Sequence, residues 1–149
     1  MTCNNFLELT NNERLVPSFS SNMAIDFSPR PRVVCNDGFS ISIQANECAY
    51  CLPRISQVKI DDDKNTFYFK GTNDENGEPY TLIHGYMHGF RPYTHVEIGY
   101  LNPEEHLNFE WAGDEPKDVY GYVPISDVDY ILRAHGGINI KETFKRRDY

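Results

Sequence analysis

This 149-residue chain has no apolar run longer than a few positions, far short of the roughly 20 residues that a membrane-crossing helix needs. Its start, "MTCNNFLELTNNERLV", has neither the basic region nor the apolar stretch of a signal peptide. Both absences lead to the expectation of a cytosolic protein with no membrane partner, whose four cysteines are reduced thiols rather than disulfides. Also missing are a phosphate-binding loop, a dinucleotide fingerprint, internal repeats and low-complexity tracts. Basic charge is scarce: 14 Lys and Arg stand against 22 Asp and Glu, for a net charge of -8 and an isoelectric point near 5.0. That balance argues against direct binding to nucleic-acid backbones.

What is present suits one compact domain spanning 1–149. Hydrophobic residues make up 40% of the chain, with ten Tyr and nine Phe, enough to build a core rather than a disordered tail. The acidic excess is localised. Residues 97–130 hold nine carboxylates and one basic residue, Lys117, while the rest of the chain is balanced at thirteen of each sign. Glu104, Glu105, Glu110, Asp114, Glu115 and Asp118 crowd the middle of that segment and are the candidate partner-binding residues. A field of this sign attracts basic surfaces. A solvated loop that keeps the protein soluble accounts for the same composition.

Residues 1–31 show no lasting periodicity and end in "SPRPR", which reads as an N-terminal arm packed on the domain. From Arg32 the pattern sharpens. Val33, Val34 and Cys35 run into "NDG", after which Phe39, Ile41, Ile43 and Ala45 alternate with polar residues, the signature of a β-hairpin. "SQVKIDDDKNTFYFKG" reads as a second hairpin, with Val58 and Ile60 before the turn and Phe67 and Phe69 after it. "YTLIHGYMHG", "YTHVEIGY" and "DVYGYVP" read as further strands, the last with Val119, Gly121 and Val123 on one face and Tyr120 and Tyr122 on the other. One helix is strongly written, at about 126–135. Ser126 is its N-cap, Asp129 completes a capping box, and Ile125 staples against Tyr130. Val128, Ile131, Leu132 and His135 form its apolar face, and Gly136-Gly137 stops it. "INIKETFKRRDY" would add a short strand and a basic end. The resulting class is α+β: an antiparallel sheet of about five to seven strands with one helix packed on it.

Four residues have the order of a zinc site, Cys48-x-x-Cys51 followed by His84-x-x-x-His88. The gap between the two pairs is much longer than in a zinc finger, and no carboxylate near the histidines in sequence could orient them. Cys35 and Cys51 read better as buried thiols acting as small hydrophobes, so no metal and no cofactor is expected. A nucleophile built on Cys51 with His135 or His95 is unspecific in a chain with four Cys and five His, and no catalytic residue is assigned. Arg54 or Arg91 with Tyr93, Tyr120 or Tyr122 would make an anion clamp with a stacking wall for a nucleotide.

Three blocks, "RVVCNDGFSISIQANECAYCLPR", "YTHVEIGY" and "DVYGYVPISDVDYILRAHGGI", together resemble a family of small, mostly uncharacterised proteins of bacteriophages and prophages. The shared pattern runs Cys-x-Asp-Gly-Phe-Ser, Tyr-Cys-x-Pro-Arg, Val-Glu-x-Gly, Val-Tyr-Gly-Tyr-Val-Pro and His-Gly-Gly. It covers about half of the chain and carries over Cys35, Asp37, Gly38, Phe39, Gln44, Tyr50, Cys51, Pro53, Arg54, Glu97, Gly99, Tyr120, Gly121, Tyr122, Pro124, His135, Gly136 and Gly137. Cys48 stands outside it. Residues 55–91, with His84 and His88, look like an insertion carrying a β-hairpin. The resemblance implies a phage origin and the host bacterial cytoplasm, and it implies no chemistry.

The expectation that follows is a non-enzymatic inhibitor of a host defence system, of the anti-CRISPR or anti-restriction kind. Its acidic segment 97–130 would occupy the basic surface of a defence protein or nucleoprotein complex. The alternatives are a sponge for a nucleotide immune signal, or a phage accessory protein without an immune role. A homo-oligomer is compatible with each.

Overall fold

The computed structural model describes residues 1–11, 14–16, 24–26, 29–46, 48–52, 54–61, 66–72, 83–85, 93–102, 104 and 107–145. In chain order its elements are α1 (Cys3–Leu9), β1 (Arg14–Val16), β2 (Ala24–Asp26), β3 (Val33–Val34), β4 (Ser40–Gln44), β5 (Arg54–Asp61), β6 (Thr66–Thr72), β7 (Ile83–Gly85), β8 (His95–Asn102), a 3-10 turn at Glu110–Ala112, β9 (Val119–Pro124), α2 (Ile125–Ala134) and α3 (Ile140–Thr143). The class is α+β. Among the described residues the strands fall into three antiparallel sheets, where the sequence suggests one of five to seven strands. A four-stranded sheet runs β3-β4-β8-β9, a three-stranded one runs β5-β6-β7, and β1 pairs with β2. Among the described residues three α-helices accompany them instead of one.

The four-stranded sheet holds the core. Phe39, Ile41, Ile43 and Ala45 all lie buried, as their alternation requires, and Val96 and Ile98 of β8 join them. Val128, Ile131 and Leu132 of α2 close the core from the helix side. The second hairpin also forms, with Val58 opposite Phe69 and Ile60 opposite Phe67.

Several elements depart from the sequence pattern. The N-terminal arm contains α1. Thr2 caps it by accepting from Asn5 N at 3.1 Å, and the Asn5 side chain returns the bond to Thr2 N at 3.2 Å. Cys3, Phe6 and Leu7, at i, i+3 and i+4, are fully buried. Asn4 locks the helix down through a reciprocal pair with the Tyr93 backbone, both bonds at 3.1 Å.

The N-cap of α2 is Pro124, two residues before Ser126, and it makes no side-chain cap. Its first N–H, on Ile125, donates to the Thr94 carbonyl at 3.0 Å, so a tertiary contact replaces the capping serine. Ser126 is exposed, Asp129 accepts from Cys3 N at 2.8 Å, and Tyr130 turns out to solvent. The helix does end at the two glycines, both at φ 85°. Beyond them, Ile138 bridges to Cys35 and Asn139 caps α3, a helical turn where a strand was expected.

Strand β9 does not keep its alternation. One extra residue on β9 opposite Val96–Ile98 makes a bulge, so Tyr120 and Val123 are buried while Gly121 is exposed. A matching bulge on β8 lies opposite Ser40–Ser42. Each bulge carries a tyrosine in the left-handed region, Tyr100 at φ 51° and Tyr122 at φ 53°.

Candidate functional site

The "NDG" turn between β3 and β4 docks on the end of α2. Asn36 N donates to the Gly137 carbonyl at 3.0 Å, and Asn36 Nδ2 donates to the Gly136 carbonyl at 2.6 Å. Asp37 Oδ1 accepts from Phe39 N at 2.9 Å, while Oδ2 meets His135 Nδ1 at 2.7 Å. The imidazole lies flat on the Phe39 ring, with centroids 3.8 Å apart and planes 8° from parallel. The Phe39 amide and then His135 hold the Asp37 carboxyl below its ordinary range. His135 thereby joins two of the blocks that carry the family resemblance.

A second joint uses Tyr50, Glu97, Gly121 and Tyr122. Glu97 Oε2 accepts from Tyr50 N, and the Tyr50 carbonyl accepts from Tyr122 N, both at 3.0 Å. A Cβ on Gly121 would stand 2.9 Å from Tyr50 Cβ, so only glycine admits this approach.

The thiols are separate. Cys51 is fully buried and its Sγ donates to the Asn46 carbonyl at 3.3 Å, whereas Cys48 is exposed. Burial first, then nearby Asp37, raises the Cys35 thiol to about 11, and burial likewise pushes Cys3 upward. Among the described residues no three Cys, His, Asp or Glu side chains gather as metal ligands. The His84 side chain and all of His88 lie outside the described residues.

Two of the three rings suggested for a stacking wall lie in the core. Tyr93 and Tyr120 are each only 4% exposed, and the Tyr120 hydroxyl accepts from Lys117 N at 2.8 Å. Tyr122 is half-buried beside Tyr50, their rings 5.8 Å apart. The Arg54 side chain and Arg91 lie outside the described residues. Tyr120 instead borders an open cleft of about 410 Å³ with Arg32, Tyr100, Glu104, Lys117 and Asp118, a wall of both charges.

The carboxylates of 97–130 divide into two groups. Glu97, Asp127 and Asp129 accept hydrogen bonds from Tyr50 N, Trp111 Nε1 and Cys3 N, and these three are structural. Glu104, Glu110, Asp114, Glu115 and Asp118 are exposed, and none makes an ion pair among the described residues. Glu105 lies outside the described residues. In their midst is an aromatic cluster that charge counting overlooks: Phe109 stacks on Trp111 at 5.0 Å, with Tyr130 edge-on to Phe109 at 6.1 Å. Its signal in the sequence is the single tryptophan, placed inside the acidic segment.

No known protein family, curated protein or solved structure matches the chain. Among the described residues no helix is long and apolar enough to cross a membrane.

Proposed function

We propose that this chain is a phage-encoded, non-enzymatic inhibitor of a bacterial defence system, anti-CRISPR or anti-restriction in kind, acting in the host cytoplasm. It binds the basic, nucleic-acid-binding surface of a defence protein through its acidic segment. The observation that carries the reading is the division of the carboxylates. Three are consumed inside the fold, while five between 104 and 118 face solvent with no ion pair among the described residues. Unpaired charges of one sign on a folded surface speed encounter with a basic partner and compete with a phosphate backbone for it. Support also comes from the resemblance of the three sequence blocks to phage proteins.

The test is phage plating on bacterial strains that each carry one CRISPR or restriction system, with and without this chain expressed. Plating restored on at least one defended strain, and unchanged on the undefended parent, is the expected result. Unchanged plating across the whole panel at confirmed expression would overturn the reading.

A further inference from the structure

We infer that the cluster of Phe109, Trp111 and Tyr130 is the contact centre of the acidic face, and that it receives an arginine-bearing segment of a basic protein partner. This rests on the acidic-surface reading and names the chemistry of its partner. Helix α2 buries Val128, Ile131 and Leu132 in the core while Tyr130, on the other side, is 60% exposed. The core therefore does not require that ring. Its described ring neighbour is Phe109, which meets it at 83°.

Phe109 stacks on Trp111 with planes 13° from parallel, and Trp111 meets the buried Tyr120 edge-on at 5.4 Å. The indole is pinned further, because its Nε1 donates to Asp127 Oδ2 at 2.9 Å. Phe109 and Trp111, half-buried against the core, are thus held in place beside the exposed Tyr130 before any partner arrives, which lowers the ordering cost of binding.

Glu110 sits between Phe109 and Trp111 in sequence and is exposed, and Asp114, Glu115 and Asp118 follow on the same stretch. Ring faces carry negative potential, and the carboxylates of Glu110, next to both rings in the chain, and Asp127, bonded to the indole, add to it. A planar guanidinium satisfies both at once, stacking on a ring while pairing bidentately with a carboxylate. An ammonium is a compact, strongly hydrated charge and gains less from the rings. Arg133, three residues along α2 from Tyr130, is exposed as well.

The test uses the full chain and three probes, hexa-arginine, hexa-lysine and hexa-glutamate peptides, at low ionic strength. Trp111 is the sole tryptophan, so its emission reports on the patch directly. Hexa-arginine should bind saturably, about two- to fivefold more tightly than hexa-lysine, and hexa-glutamate should not bind. Tyr130→Ala should remove the arginine preference while leaving salt-sensitive binding of both basic peptides. Tyr130→Phe should retain it, since the ring and not the hydroxyl makes the contact. Equal affinity of the two basic peptides for the parent, or an arginine preference intact in Tyr130→Ala, overturns the aromatic centre and leaves the acidic-surface reading standing. Absence of binding by either basic peptide, or binding insensitive to salt, overturns both.

Discussion

Cys48 and Cys51 lie three residues apart and have opposite surroundings, one thiol exposed and the other sealed against the Asn46 carbonyl. Cys3 and Cys35 are buried as well, and burial holds both thiols in the neutral form, which is not the nucleophile. Treatment of the folded chain with a thiol-specific disulfide reagent at pH 8 should therefore modify one cysteine, Cys48, rapidly, and the other three only after denaturant is added. Two fast thiols would contradict this packing.

Asp37 makes a second prediction at this scale. Its folded pKa is depressed by the Phe39 amide and by His135, so the stability it contributes is present above the unfolded value of about 3.9. That contribution is lost as pH falls through the lowered folded value. Urea denaturation across pH should show the gap between parent and Asp37→Asn shrinking as pH falls below about 4. A gap independent of pH would show that the carboxylate's charge is not what holds the turn to α2.

The elements that short-range pattern determines are the ones that the sequence makes legible. The β3-β4 hairpin follows from Asp37-Gly38 and the alternation after it, and the end of α2 follows from Gly136-Gly137, because each depends on residues a few positions apart. Helix α1 depends on distant partners. Its seven residues include two asparagines, poor helix formers, and it persists because Asn4 bonds the Tyr93 backbone and Asp129 accepts from Cys3 N. The same reason hides the start of α2, where Thr94 does the work expected of Ser126, and the bulges that shift β8 and β9 out of simple alternation.

If α1 is integral to the core, Phe6→Ala should cost about 3–5 kcal/mol in equilibrium urea unfolding. Leu9→Ala, on the exposed side of the same helix, should stay within about 0.5 kcal/mol. A Phe6→Ala loss as small as that of Leu9→Ala would mean that α1 is a dispensable arm.

Across the whole molecule, the sequence makes the acidic excess and its place in the chain visible, but does not separate exposed charges from structural ones. That separation needs the fold, since Glu97, Asp127 and Asp129 differ from Glu104, Glu110, Asp114, Glu115 and Asp118 only in what lies beside them. The candidate metal and nucleotide constellations rest on residue type and spacing, which carry no information on burial. Cys51 is buried as its sequence reading suggests, and Tyr93 is buried where the sequence offers it as a stacking ring.

The most direct measurement of the central claim is a charge reversal confined to the five exposed positions. Glu104, Glu110, Asp114, Glu115 and Asp118 would all be changed to Lys, with a thermal melt to confirm the fold and phage plating on a defended strain as the readout. The variant should melt close to the parent, since none of the five carboxylates makes an ion pair among the described residues, and it should lose the ability to restore plating. A folded, expressed variant that restores plating as well as the parent would contradict the account.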